Sequence, residues 1–581
     1  MIRLLKFLKP FTLAVVGILV LLFFQAFADL YLPTLMADIV DVGIVNNDTD
    51  YIWRVGGLML FVAAGSAICA FVAAYLSAKM AAGFGRDLRV TLFSRVTGFS
   101  LREFDKLGTA TLITRTTNDI NQVQQVLLMI MRMMIYAPIM AVGGVIMAVS
   151  VDPTLSLVLV VTVPVLALAI TLISVKAIPL FTLMQKKLDK VNLVLRENLT
   201  GIRVIRAFNR TDYERRRFAA ANLDLTTTAI RVNRIIAFLM PVMFLIMNLA
   251  SVAIIWFGAI RIDSGEMQVG SLMAFLQYAM QILFSLLMLS FLFILLPRAQ
   301  ASAVRINEVL DMTTDINDPT QPNIPNPHSA LRTPHSIEFR DVAFSYPGAE
   351  QPAVSNISFT ASPGEIVAII GGTGSGKSTI INLIPRFYDV DSGSILVDGV
   401  DIRDLSQENL RAKIGLVPQQ AILFTGTIAE NIRYGKDDAT ELEVRCAAET
   451  AQAMEFISEM KDGFETRISQ GGTNLSGGQK QRLSIARALV RRPEIYLFDD
   501  SFSALDFKTD AKLRLALKKE TAHATMVVVA QRVSTVLNAD KIIVIDDGRI
   551  AGMGTHRELM KTSEVYREIV ASQLSEEELA A

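Results

Sequence analysis

At 581 residues, with 52% hydrophobic and 19% charged side chains and a formal net charge of zero, the chain is too apolar for a disordered polymer and too weakly charged for a nucleic-acid binder. Two cysteines, Cys69 and Cys446, cannot build a disulfide framework or a metal cluster, and the four histidines lack metal-ligand spacing. Hydrophobicity is concentrated in the first half, which predicts a two-part membrane protein.

Six apolar stretches are each long enough to span a bilayer as a helix, a task that takes about 20 residues at ~1.5 Å rise. They lie near residues 11–35, 52–78, 127–150, 155–175, 235–261 and 269–296. The N-terminal Arg3, Lys6 and Lys9, followed by an apolar run and Ala26-Phe27-Ala28, imitate a secretory signal. The run continues past the length of a signal core, so it reads as the first span. Long polar segments after the second and fourth spans carry Arg86, Arg89, Arg95, Arg102, Lys106 and Arg115, then Lys186, Lys187, Lys190, Arg203, Arg206 and Arg215 to Arg217. The short connections carry acids instead, among them Asp38, Asp41, Asp48, Asp50, Asp152, Asp263 and Glu266. The bias places the long segments and the N-terminus in the cytoplasm. Their helical pattern predicts membrane helices that project well below the bilayer.

Within the spans, Gln25, Asp29, Asn248, Gln277 and Gln281 are candidates to line a central cavity, because a lipid-facing carboxylate costs several kcal/mol. Asp29 would attract cationic solutes, or sit near water in the outer leaflet. Methionines at Met129, Met131, Met133, Met134, Met140, Met280 and Met288 suit a surface that accepts varied apolar ligands, although lipid-facing or helix-packing filler is the favoured reading.

The reading by domain is a transmembrane domain over 1–310, a Pro-, Asn- and Thr-rich linker over 311–335, and a second domain over 336–581. The second domain opens with the alternation Ile337, Phe339, Val342, Phe344. A β-branched run, 366–370, then enters Gly371, Gly372, Thr373, Gly374, Ser375, Gly376, Lys377, Ser378 and Thr379, the G-x-x-x-x-G-K-[ST] pattern in its strand-to-helix context. Glycines there let backbone N–H groups curl around phosphates, Lys377 neutralises their charge, and the Ser378 hydroxyl suits Mg²⁺. Leu475, Ser476, Gly477, Gly478 and Gln479 open a helical segment whose N-terminus attracts phosphate. Ile495 to Phe498 predict a buried strand ending in Asp499, placed to hold the Mg²⁺ shell. Asp500 follows, then Ser503-Ala504-Leu505-Asp506. A further strand is predicted at 541–545, and Glu576-Glu577-Glu578 read as a solvated tail.

This ordered set resembles the ATP-binding cassette family, over the whole chain. The resemblance implies an all-α six-helix transmembrane domain of the ABC exporter type fused to an α/β P-loop nucleotide-binding domain that uses ATP and Mg²⁺. It implies that Tyr346 stacks on adenine, that Gln419 joins Ser378 and Asp499 at the metal and links it to the membrane domain, and that coupling helices lie near 109–116 and 209–217. It also implies that two cassettes meet head to tail, so that Ser476, Gly477, Gly478 and Gln479 act in trans on a partner's nucleotide.

Two positions depart from the family pattern. The family's water-polarising glutamate is Asp500 here, one methylene shorter, and its γ-phosphate histidine is Gln531. A carboxylate displaced by about 1 Å costs on the order of a hundredfold in rate, and a lost transition-state contact roughly 10² to 10³. Asp500 and Gln531 are thus degenerate catalytic positions. The expectation is one half of a heterodimeric exporter in the inner membrane, with a homologous half-transporter as partner, lipophilic drugs or lipids as cargo, the bilayer as its medium and no nucleic acid. The alternatives are a homodimer that hydrolyses slowly, or an ATP-gated regulatory or channel-like membrane protein.

Overall fold

The computed structural model describes residues 1–319 and 336–573, apart from the side chains of Ser174 and residues 290–294. Most of the expected linker (320–335) and the acidic tail therefore lie outside the described residues. The chain divides into two compact units: Met1–Thr97 with Thr109–Met312, and Gly98–Gly108 with Thr313–Ala581.

In the first unit a tight 3₁₀ segment, Ile2–Phe11, leads into α1 (Thr12–Asp38), followed by α2 (Thr49–Thr97). After α3 (Leu101–Leu107), which belongs to the second unit, come α4 (Thr109–Val151), α5 (Leu157–Thr200), α6 (Thr211–Asp263) and α7 (Val269–Asp311). Six of these helices are long and apolar enough to cross a membrane. At 49 and 53 residues, α2 and α6 run for about 74 and 80 Å, more than twice an apolar core of about 30 Å, so they extend well past it as their sequence pattern predicts. Phe61, Phe71, Trp53 and Trp256 point outward, as suits side chains facing lipid. Polar pairs tie the helices together where they cross. Arg305 on α7 grips the buried Asp119 of α4 with help from Ser302, and Arg261 on α6 pairs with the buried Asp152 at 2.5 Å. Asp41 accepts from the backbone N–H groups of Gly270 (2.6 Å) and Ser271 (3.0 Å), two of the donors that a helix start leaves unsatisfied.

Among the described residues the second unit carries twelve strands. These are β1 (Ile337–Phe344), β2 (Val354–Ala361), β3 (Ile366–Gly371), β4 (Ser392–Val397), β5 (Val400–Asp401), β6 (Ile414–Val417), β7 (Gly426–Thr427), β8 (Arg467–Ile468), β9 (Ile495–Asp499), β10 (Thr525–Val529), β11 (Lys541–Asp546) and β12 (Arg549–Gly554). The central sheet has the order β12-β11-β3-β10-β9-β6 and is parallel except for β12, while β2-β1-β4-β5 form an antiparallel sheet and β7-β8 a ribbon. Every residue of β9 and β10 is buried, the continuous apolar reading that a parallel sheet covered on both faces requires. Alternate side chains feed two cores, Ile370, Phe498, Val528 and Val544 on one face and Ile369, Leu497, Val527 and Ile543 on the other. Register sets Val529 beside both Asp499 and Ile369, so the chain leaves β3, β9 and β10 at one edge of the sheet. In such sheets ligands bind at that carboxyl edge.

One expectation needs correction. Residues 109–116 begin α4 in the first unit; it is 98–108 that packs with the nucleotide-binding fold. The segment breaks off from its flanking helices because Ser100 caps α3 in a reciprocal box with Glu103, and Gly108 ends it at φ +74. Asp105 accepts from the Tyr388 hydroxyl at 2.9 Å, and Arg102 pairs with Asp315 at 2.8 Å. Tyr388→Phe removes the first bond, a loss of about 1.5 kcal/mol. The expected outcome is looser packing of α3 on the second unit, read as faster amide hydrogen exchange over 101–107 in the purified protein. The segment expected at 209–217 is the turn between a short helix, Ile202–Ala207, and the start of α6.

Candidate nucleotide site

The phosphate loop leaves β3 at Gly371 and enters the helix Lys377–Leu383, so its amides face the carboxyl edge of the sheet. Three of its glycines are forced, Gly374 among them at φ +82. A Cβ on Gly371 would lie 2.1 Å from the Ile545 carbonyl oxygen, and Gly376 sits at φ +98, where a side chain is strained. Gly371→Ala therefore pushes the loop off β11, and nucleotide affinity is expected to fall at least tenfold in an equilibrium binding measurement. Lys377 is buried and donates to the carbonyl oxygens of Gly371 (3.0 Å) and Gly372. Burial pulls its pKa down, and the nearby Asp500 and Asp499 oppose that.

Ser378 donates from its hydroxyl to Asp499 Oδ1 at 3.0 Å. Asp499 and Asp500 are both 8% exposed, and burial pushes both carboxyls upward. At Asp499 the Ser378 hydrogen bond opposes the shift and the neighbouring Asp500 charge adds to it; at Asp500 hydrogen bonds from Gln419, Ser503 and the Gln531 backbone amide oppose it. A buried carboxylate and a hydroxyl supply oxygens of the kind that a Mg²⁺ bound to nucleotide phosphates takes, with an ammonium beside them for the phosphates, and the residues fit it. Ser378 and Asp499 would hold the ion and Lys377 the phosphates. Bound there, Mg²⁺ supplies charge neutralisation of the phosphate oxygens.

Gln419 Nε2 lies 3.4 Å from Asp500 Oδ2, so this glutamine reaches the second carboxylate of the pair. Asp500 is in the left-handed region, φ +44, with its N–H bonded to Val529 O at 3.0 Å. Gln531 directly follows the end of β10 and Ala530 and is exposed. Its carbonyl accepts from Gln573 Nε2 at 2.8 Å, while Gln573 Oε1 takes the Val533 N–H at 2.8 Å. Tyr346 is half-buried, its hydroxyl 3.1 Å from Thr379 Oγ1 and its ring edge-on to Phe344 and Tyr388. The structure thus gathers Tyr346, the loop, Gln419, Asp499, Asp500 and Gln531 at one edge.

The remaining candidates stand apart. Ser476 caps the helix Gly477–Val490 in a reciprocal box with Gln479, and Ser476 and Gly477 are exposed. Among the described residues no hydrogen bond joins 476–479 to 371–379. Sequence reasoning missed Gln573 and the Asp105–Tyr388 pair. Both join residues far apart in the chain, 42 and 283 positions, with no local motif to announce them.

Comparison with known proteins agrees with this geometry. Residues 15–286 match the ABC transporter transmembrane region, and residues 354–503 match the ABC transporter family. The chain is 46% identical over 569 residues to an uncharacterized ABC transporter ATP-binding protein of Mycobacterium tuberculosis, with 97% of each covered. It is 34% identical over 535 residues to the ATP-dependent lipid A-core flippase of Desulfotalea psychrophila, with 92% of each covered. Its fold superposes on a bacterial Atm1-family ABC exporter with ATP bound at a TM-score of 0.81 and 26% identity, covering 97% of this chain and 98% of the other. Six membrane-crossing helices and a phosphate loop at the edge of a parallel sheet are therefore the two halves of one machine, and the chain belongs to the ABC transporter family, as a multi-pass membrane protein of the exporter fold with a cytoplasmic nucleotide-binding domain that couples ATP to transport.

Proposed function

We propose that this chain is one half of a heterodimeric exporter of lipophilic compounds, drugs or lipids, whose own nucleotide pocket binds ATP and hydrolyses it poorly. The observation that carries the reading is the pairing of Asp500 with Gln531 at the carboxyl edge of β9 and β10. A carboxylate one methylene short and an amide occupy the positions that must polarise water and contact the γ-phosphate. Ser476 to Gln479, exposed at a helix start, would complete the partner's pocket, where most turnover takes place. Bound ATP in the degenerate pocket holds the two cassettes together while the partner's turnover drives alternating access. The flippase name borne by one relative supports a lipid-like cargo.

A homodimer with slow hydrolysis is the second reading, favoured by the buried Asp500 carboxylate standing within reach of Gln419 in the same pocket. ATPase assay of the chain purified alone separates the two. The heterodimer requires almost no turnover, and robust hydrolysis by the lone chain overturns it.

A further inference from the structure

Four membrane helices meet at one acidic residue, and two of them donate to its carboxylate. Asp29 on α1 lies nine residues, about 14 Å along the helix, before its end at Asp38. Its Oδ1 accepts from the Ser66 hydroxyl of α2 at 2.6 Å, and its Oδ2 accepts from the Tyr136 hydroxyl of α4 at 2.6 Å. Gln281 of α7 donates to the Asp29 backbone oxygen at 3.3 Å. Ser66 is 7% exposed, so this is a packed crossing, not a frayed helix end.

Two features of the cluster point to a ligand. First, no cation sits on it: both donors to the carboxylate are neutral hydroxyls, and among the described residues no Lys or Arg forms an ion pair with Asp29. A lone carboxylate at membrane depth is expensive, and such residues persist where they meet an ion or a substrate. Second, one buried acceptor is left over. Gln281 donates one amide N–H to Asp29 O, and its Oε1 is buried with no hydrogen-bond partner. The same Gln281 lines an open groove of about 420 Å³ with Ser251, Ile255, Leu276, Gln277 and Met280, a largely apolar wall that carries an adaptable thioether.

We propose that Asp29, oriented by Ser66 and Tyr136 and flanked by Gln281, receives the positive nitrogen of an amphipathic cargo whose apolar body lies along the α6 and α7 wall. The cargo class is a protonated amine or amidinium on an apolar frame, carried by a free lipophilic cation or by a lipid headgroup. The cation supplies both things the cluster lacks, a positive charge and N–H donors. This assignment rests on the reading of the chain as a lipophile exporter.

The test is a binding titration on the purified protein in nanodiscs, with whatever chain copurifies, using a dansyl-labelled long-chain alkylamine, a fluorescent acyl phosphatidylethanolamine and a neutral fluorescent diacylglycerol. Asp29→Asn is expected to weaken at least one amine-bearing probe about tenfold or more and the neutral probe less than twofold, because a hydrogen bond to a charged group is lost. Asp29→Glu is expected to restore most of the loss, which separates charge recognition from helix packing. The amine probe that responds identifies the source of the nitrogen. Equal weakening of all three probes, no weakening of any, or failure of Glu to rescue overturns the proposal while leaving lipophile export standing. Wild-type protein that binds none of the three overturns both.

Discussion

Asp500→Glu combined with Gln531→His is expected to raise ATP turnover in this chain's own pocket by about 10²-fold, the scale of a repositioned base and a regained transition-state contact. In the proposed reading both positions serve one water and one phosphate, so their effects are not additive, and each single change should recover less than tenfold. The fold resists the first substitution slightly. Asp500 sits at φ +44, a conformation Asp adopts more readily than Glu, which adds up to about 1 kcal/mol of backbone cost and a slightly lower melting temperature. The measurement is trapping of photoreactive, labelled nucleotide, which reports breakdown in each pocket separately. Equal breakdown in both pockets of the unmodified assembly removes the premise. No gain in the double variant shows that these two side chains do not limit the site, provided the partner's Ser-Gly-Gly segment is intact.

The second large effect concerns Ser476. Its hydroxyl caps the helix Gly477–Val490, accepting from the Gln479 N–H, and it is exposed at a helix start where phosphate is favoured. Ser476→Arg is expected to cut turnover in the partner's pocket by about 10² to 10³ through blocked approach to the nucleotide, while photolabelling at this chain's own loop persists. Loss of the cap alone would cost about 1 kcal/mol and confuse the result. Ser476→Asp resolves this, because Asp caps as well as Ser but sets a negative charge toward phosphate. A stable protein with lost turnover in the Asp variant supports action across the dimer. Unchanged turnover in both variants contradicts it.

Much of the nucleotide site was legible from residue order. The run 366–379 carries strand, loop and helix start in one stretch, and the structure places β3, the loop and its helix there. The buried strand before Asp499 and the capped helix after Ser476 were readable for the same reason: their signals lie within a few positions of the residues they place. The assignment of 109–116, and not 98–108, to the second unit's surface had a local cause as well. Helical patterning continues through 109–116, and only the Ser100 cap and Gly108 mark 101–107 as a separate helix. Asp29 was readable as an intramembrane carboxylate but not as a partner of Ser66 and Tyr136, 37 and 107 residues away.

Residue order alone determined the six spans, their cytoplasmic side and the phosphate chemistry, because hydrophobic length, charge bias and backbone-amide loops are properties of contiguous chain. The tertiary structure decided which distant groups meet: Asp105 with Tyr388, Gln573 with Gln531, Asp29 with two hydroxyls and Arg305 with Asp119. Those contacts depend on helix crossings and sheet register, which are set by packing over the whole fold and leave no trace in the spacing of neighbouring residues.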